Sequence, residues 1–145
     1  MFPEQQHITV HSTYFSRAVD DIEGVTADAK RLLADVDFDT LVGTGLSGSL
    51  VVPHLARELG VNWLLIRKPN DGTHGDRRGE GRLGRRWIFV DDFIASGATY
   101  ERVSAVVGEL SRMWAFGVVH VGDFLYQDID RPGIDYRAVF RGANV

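Results

Sequence analysis

Cysteine is absent from the 145 residues, which excludes disulfides, thiolate metal sites and a thiol nucleophile. There is no excess of positive charge: 16 Lys and Arg stand against 20 Asp and Glu, a formal net charge of −4. A general attraction to nucleic acid is therefore disfavoured. No apolar run approaches the roughly 18 residues of a membrane span. The amino terminus lacks the basic-then-apolar order of a secretion signal. A membrane-free cytoplasmic protein is the expectation. Internal repeats, low-complexity tracts and linkers are absent too, and the length suits a single domain over residues 1–145. Hydrophobic residues make up 44%, enough for an ordinary core.

Against these absences, one stretch stands out. Trp87-Ile88-Phe89-Val90 is continuously apolar and runs into two adjacent carboxylates, Asp91 and Asp92. Such a run reads as a strand buried on both faces. The acidic pair then lies at its carboxyl end, where open α/β sheets bind ligands. Ala95-Ser96-Gly97-Ala98-Thr99 follows, a loop of small residues with two hydroxyls, and a helical pattern opens at Tyr100. Backbone N–H groups at a helix start suit a phosphate dianion. A ribose 5-phosphate would satisfy both halves of the site: vicinal hydroxyls for the carboxylates and a phosphate for the loop. A plain strand with an Asp N-cap on the next helix would need one Asp, not two.

The thirteen residues Trp87–Thr99 resemble the motif with which type I phosphoribosyltransferases bind 5-phosphoribosyl 1-diphosphate (PRPP). Ser96 stands where Thr is usual and Ala98 where Gly is common; both changes keep a hydroxyl or a small side chain. Ala95 fills the position where hypoxanthine-type members carry Asp, which argues against that subclass.

The rest of the chain fits an alternation of strands and helices, hence an α/β fold with a mainly parallel twisted sheet flanked by helices. Strands are expected near 38–42, 62–67, 87–91 and 117–122. Arg17–Asp35 reads as helical with an interruption near Gly24, and Thr26 as the N-cap of its second part. Ser49–Leu59 reads as an amphipathic helix with Pro53 near its first turn and Gly60 at its end. Thr99–Met113 is the next helix. His7 and His11 share one face of a short alternating stretch, and exposed strand histidines are the simpler reading than a metal pair. Asp123–Val145 is expected to form a loop and an edge strand or hairpin.

Gly43-Thr44-Gly45-Leu46-Ser47-Gly48 is a glycine-rich turn after a strand. On its own it is weak evidence, because the Walker lysine and the dinucleotide spacing are both missing. Beside the Asp91–Thr99 match it resembles the family's pyrophosphate loop, with a non-proline cis peptide implied at Gly43–Thr44 or Thr44–Gly45. Arg67-Lys68 after the second strand resembles the pyrophosphate-binding pair of adenine and orotate phosphoribosyltransferases. Residues 70–86 hold five glycines and five arginines, among them Arg77, Arg78 and Arg82. Loops this long in a compact domain are usually functional or disordered, and the family has a mobile loop here that closes over the site.

The resemblance thus implies a type I phosphoribosyltransferase core over about residues 35–125, with a small hood from Met1–Ser16, Asp123–Val145 or both. It implies transfer of ribose 5-phosphate from PRPP to a nitrogenous base with release of pyrophosphate. Asp91 and Asp92 would hold the ribose and, indirectly, Mg²⁺ carried by PRPP. Ala95, Ser96, Gly97, Ala98 and Thr99 would hold the 5-phosphate. Thr44, Gly45, Arg67 and Lys68 would hold pyrophosphate, and Arg77, Arg78 and Arg82 would act from the mobile loop. A homodimer is expected. The alternatives are a non-catalytic PRPP-binding regulator and, through the basic loop, an RNA-binding module.

Overall fold

The computed structural model describes Ile8 and residues 15–69, 78–94, 97–112 and 117–127. The His7–His11 stretch, Arg77, Ala95, Ser96, Met113 and residues 128–145 lie outside the described residues, apart from Ile8 itself.

Two short N-terminal helices, α1 (Arg17–Asp20) and α2 (Ile22–Leu32), precede β1 (Thr40–Thr44), α3 (Gly45–Leu59), β2 (Asn62–Ile66), β3 (Gly79–Gly81), β4 (Arg86–Asp91), α4 (Ala98–Ser111) and β5 (Val119–Leu125). The strands form one sheet in the order β3-β2-β1-β4-β5. β1 pairs in parallel with both β2 and β4, and β4 with β5; only β3 runs antiparallel, against β2. The mainly parallel α/β architecture read from the sequence is therefore the one observed.

Continuously apolar strands need cover on both faces, and they have it. On one face Leu41, Ile88, Val90 and Phe124 pack with Val25, Ala29, Val51, Val52, Leu55 and Ala56 from α2 and α3. On the other, Val42, Leu64, Ile66, Trp87 and Phe89 pack with Val103, Val106 and Val107 of α4. The chain leaves β1 toward β2 on one side and later returns to pair β4 on the other. That reversal opens a crevice beyond the carboxyl ends of β1 and β4, the place where ligands bind in such sheets.

Several boundaries differ from expectation, each for a physical reason. β1 starts two residues late, because Asp39 turns its carboxylate away to accept from the Arg85 and Arg86 amides and from the Thr40 hydroxyl. β1 then runs on to Thr44, and α3 begins at once at Gly45, whose φ of 64° makes the turn in a single residue. The expected glycine-rich loop is thus absorbed into a strand end and a helix start. Pro53 consequently lies in the interior of α3, not near its first turn, and its missing N–H leaves the Ser49 carbonyl without its helical donor. Thr26 is not a cap. Asp21 caps α2 by accepting from the Gly24 amide at 3.1 Å, and Thr26 sits inside the helix, donating to the Ile22 carbonyl. Gly24 does not interrupt the helix; a Cβ there would collide with the Asp21 carboxylate. β3 falls within the stretch expected to be irregular, and Asp123–Leu125 belongs to β5 rather than to a C-terminal loop.

The start of α3 lies against β1 through Gly43 and Gly48. A Cβ on Gly48 would stand 3.0 Å from the Gly43 carbonyl carbon and 3.1 Å from its Cα. Because that neighbour is backbone, the helix would have to move. Gly48→Ala is expected to cost about 1–3 kcal/mol, the usual range for overpacking, and thermal unfolding should register it as a drop of several degrees. An unchanged melting temperature would show that α3 can retreat from β1 freely.

Candidate active site

The acidic pair is built by the end of β4 and held from two sides. Asp91 is 7% exposed. Its Oδ1 accepts from the Ser47 hydroxyl at 2.8 Å and from the Asp92 amide at 2.9 Å. The Asp92 carboxylate accepts from the Phe93 amide at 2.7 Å. Beyond β5 the chain folds back beneath them: the Tyr126 and Gln127 amides donate to the Asp91 and Asp92 carbonyls, and the Tyr126 hydroxyl donates to the Ser47 carbonyl at 2.9 Å. The two aspartates are thus fixed relative to the first turn of α3.

Burial, and after it the neighbouring Asp92 carboxyl, pushes the Asp91 carboxyl up to about 7 against the opposing Ser47 hydrogen bond. The fold therefore favours the protonated form. Below about pH 4 Asp91 is protonated in both folded and unfolded chains, and its contribution is fully present. As pH rises toward 7 the unfolded chain ionises while the fold holds the proton, so stability falls by up to about 1.4 kcal/mol per pH unit. Asp91→Asn has no such proton. Its melting temperature should gain on that of the parent between pH 4 and 7 and hold a constant lead above; parallel pH profiles would refute the assignment.

Across the crevice, the ends of β1 and β2 gather cations. The Lys68 side chain lies over Gly45, so close that a Cβ on Gly45 would stand 2.5 Å from Lys Cε and 3.0 Å from Nζ. Arg67 is held at its amide by the Arg78 carbonyl. Thr44 comes to the same place, but it is 2% exposed and its hydroxyl donates to the Ile66 carbonyl at 2.6 Å. It ties β1 to β2 instead of presenting a donor to a ligand, because the strand continues through it. Every peptide bond among the described residues is trans, so the implied cis bond at Gly43–Gly45 is absent. The turn is made by the positive φ of Gly45.

Of the phosphate turn, Gly97, Ala98 and Thr99 are described. Gly97 is the N-cap of α4 in a left-handed conformation, φ 84°, with open space where a side chain would be. Gly97 has no side chain with which to cap the helix, and the Glu101 amide donates to the Gly97 carbonyl at 3.0 Å. The arginines of the long loop separate. The Arg78 backbone lies beside Arg67, but its guanidinium pairs at 3.2 Å with Glu109, near the carboxyl end of α4 and away from the start of that helix. The Arg82 amide donates to the Trp63 carbonyl, and since β3 runs antiparallel Arg82 lies near the other end of β2, roughly 10 Å down the strand. Two cavities of about 410 and 480 Å³ flank this far edge, lined by Asn62, Gly81 and Arg82 among others. They lie away from the acidic pair.

Sequence reasoning missed Arg102. From the second turn of α4 its guanidinium donates to the Thr44 hydroxyl at 3.2 Å and to the Arg67 carbonyl at 3.3 Å. Both partners are neutral, and among the described residues no carboxylate forms an ion pair with it. Ser47 and Gln127 were missed as well. The Gln127 amide group receives the Arg17 N–H and donates to the Phe15 carbonyl, each at 2.9 Å. Phe15, Arg17 and Gln127 thus meet beside Asp92, whose carbonyl accepts from the Gln127 amide.

The donor set suits a hard cation: two carboxylates and a hydroxyl. Among the described residues no cluster of three His, Asp or Glu side chains forms a cage for it.

A mainly parallel sheet in the order β3-β2-β1-β4-β5, with an acidic pair and a helix start at its carboxyl edge, has the fold of type I phosphoribosyltransferases. Solved structures of that class superpose on it. The Mycobacterium tuberculosis orotate phosphoribosyltransferase, solved in complex with PRPP, matches with a TM-score of 0.59 and 19% identity over 77% of this chain and 66% of its own. The Leishmania donovani UMP synthase gives 0.58 and 17% over 81% of this chain and 27% of its own. A Corynebacterium diphtheriae phosphoribosyltransferase gives 0.56 and 23% over 70% of this chain and 62% of its own. The chain thus spans about two thirds or less of the length of these relatives. No protein-family model matches it. Among the described residues no helix is long and apolar enough to cross a membrane.

Proposed function

We propose that this chain binds PRPP and transfers its ribose 5-phosphate to a nitrogen of a base-like acceptor. The observation that carries this reading is the acidic pair where β4 ends, Asp91 and then Asp92, at the same carboxyl edge of the sheet at which β1 ends and Lys68 lies over Gly45. The fold likeness supports it. In the reaction a C1–N bond forms, the C1–O bond to pyrophosphate breaks, and pyrophosphate leaves with that electron pair. Asp92, and Asp91 in its ionised form, would accept hydrogen bonds from the ribose hydroxyls. Residues 95–99 would hold the 5-phosphate. Gly45, Arg67 and Lys68 would hold the leaving pyrophosphate, with Thr44 bracing them and the Arg78 backbone beside Arg67. Mg²⁺ bound with PRPP would neutralise charge on that leaving group. Holding both ends of PRPP across one crevice orients the reacting atoms and stabilises the charge that develops on them. A transfer through an oxocarbenium-like transition state gains most from those two effects.

The test is a panel of purine, pyrimidine and other nitrogenous acceptors, offered with PRPP and Mg²⁺ and read as pyrophosphate release. Release dependent on one acceptor class is the expected result. PRPP binding with no release for any acceptor would favour the regulator reading. No PRPP binding would refute both. Since hydroxyl donors favour the ionised form of Asp91, PRPP binding near pH 6.5 should also release protons, seen as a buffer-dependent binding enthalpy.

A further inference from the structure

Beneath the start of α4 lies a buried polar chain that the proposed transfer does not use. His120 is 6% and Asp123 2% exposed. The His120 Nε2 stands 2.8 Å from the Asp123 carboxylate, and its Nδ1 stands 3.0 Å from the Tyr100 hydroxyl. In a regular strand residues three apart face opposite ways. Here β5 pairs His120 with Trp87 but Gly122 with Ile88, so Val121 is an extra residue and a bulge turns His120 and Asp123 to one face. In the neutral tautomer that donates from Nε2 to the Asp123 carboxylate, Nδ1 accepts from the Tyr100 hydroxyl.

The Tyr100 ring stacks on Trp87 at 6.2 Å and meets Phe89 edge-on at 5.5 Å. Phenylalanine would keep both contacts, so packing alone does not require the hydroxyl. A buried network of this kind carries a desolvation cost that well-packed apolar residues would avoid. Its members act on one place. Tyr100 is the third residue of α4, directly after Thr99, and the N-cap residue Gly97 has no side chain of its own. The hydrogen bond between the Tyr100 hydroxyl and His120 therefore holds the first turn of α4 at its flank.

We infer that His120, oriented by Asp123, is a positioning residue that sets the phosphate-binding turn through Tyr100. This rests on the reading of residues 97–99 as a phosphate site.

The test uses the full chain, with ribose 5-phosphate and inorganic pyrophosphate as separate probes in calorimetry. Tyr100→Phe should weaken ribose 5-phosphate roughly five- to tenfold, the loss of one neutral hydrogen bond, and leave pyrophosphate within about twofold. His120→Gln, which retains a polar group on Asp123, should do the same. In the parent, the imidazole ¹⁵N shifts of His120 should move on adding ribose 5-phosphate and not on adding pyrophosphate. Equal losses for the two probes, or none, would overturn the positioning role while leaving the proposed function standing. Failure of the parent itself to bind ribose 5-phosphate would overturn both.

Discussion

With Asp91 and Asp92 both replaced by Asn, PRPP binding should vanish while the protein melts at a higher temperature at pH 8. The two effects share one cause. Asp91 is buried beside a second carboxylate and is pushed up to about 7, so at pH 8 the fold holds an ionised group that it disfavours. Asparagine removes the charge. Its Oδ1 can still accept from the Ser47 hydroxyl and the Asp92 amide that bond Asp91 now. What it lacks is the charge that strengthens hydrogen bonds from ribose hydroxyls. Each charge-assisted bond is worth roughly 1.5–3 kcal/mol, so the pair amounts to roughly two to four decades of affinity. Calorimetry with PRPP beside thermal unfolding at pH 8 reads both. Lost binding with a lowered melting temperature would mean mere damage to the fold, and retained binding would remove the pair from the site. A site that gives up stability for a poised charge is a common arrangement in enzymes.

How much of this was legible depended on whether a feature was local. β4 and its acidic end could be read because continuous apolarity followed by two carboxylates leaves little freedom: the strand must be buried and the charges must sit at its rim. The inward faces of α3 and α4 followed from 3.6-residue spacing, and Val51, Val52, Leu55, Val103, Val106 and Val107 are all buried. The start of α3 was not legible. Gly43–Gly48 has the composition of a loop, but β1 runs to Thr44 and α3 starts at Gly45, with strand and helix in contact through Gly43 and Gly48, which no local pattern encodes. β3 is three residues, Gly79–Gly81, and exists only because β2 offers an edge. The meeting of His120 and Asp123 was not legible, since strand parity separates them until the bulge at Val121 is known. Nor was the role of Arg102, because helix spacing does not say which strand ends its guanidinium can reach.

That arginine supports the second large effect. Arg102→Met should weaken pyrophosphate and PRPP binding roughly ten- to hundredfold, the range for a hydrogen bond to a charged partner. Its guanidinium bridges Thr44 and Arg67, so it joins the ends of β1 and β2 to α4. A half-buried cation whose acceptors among the described residues are neutral is incompletely compensated. An anion in the crevice, near Lys68, would complete it. The competing account makes Arg102 a strap and nothing more. The two differ in salt dependence and in the lysine variant. If the charge meets the ligand, raising ionic strength should erode the difference between the parent and Arg102→Met. Arg102→Lys should recover part of the affinity, keeping the charge without the two-pronged geometry. If it is only a strap, lysine should fare about as badly as methionine, ribose 5-phosphate should lose as much affinity as pyrophosphate, and the salt dependence should match that of the parent.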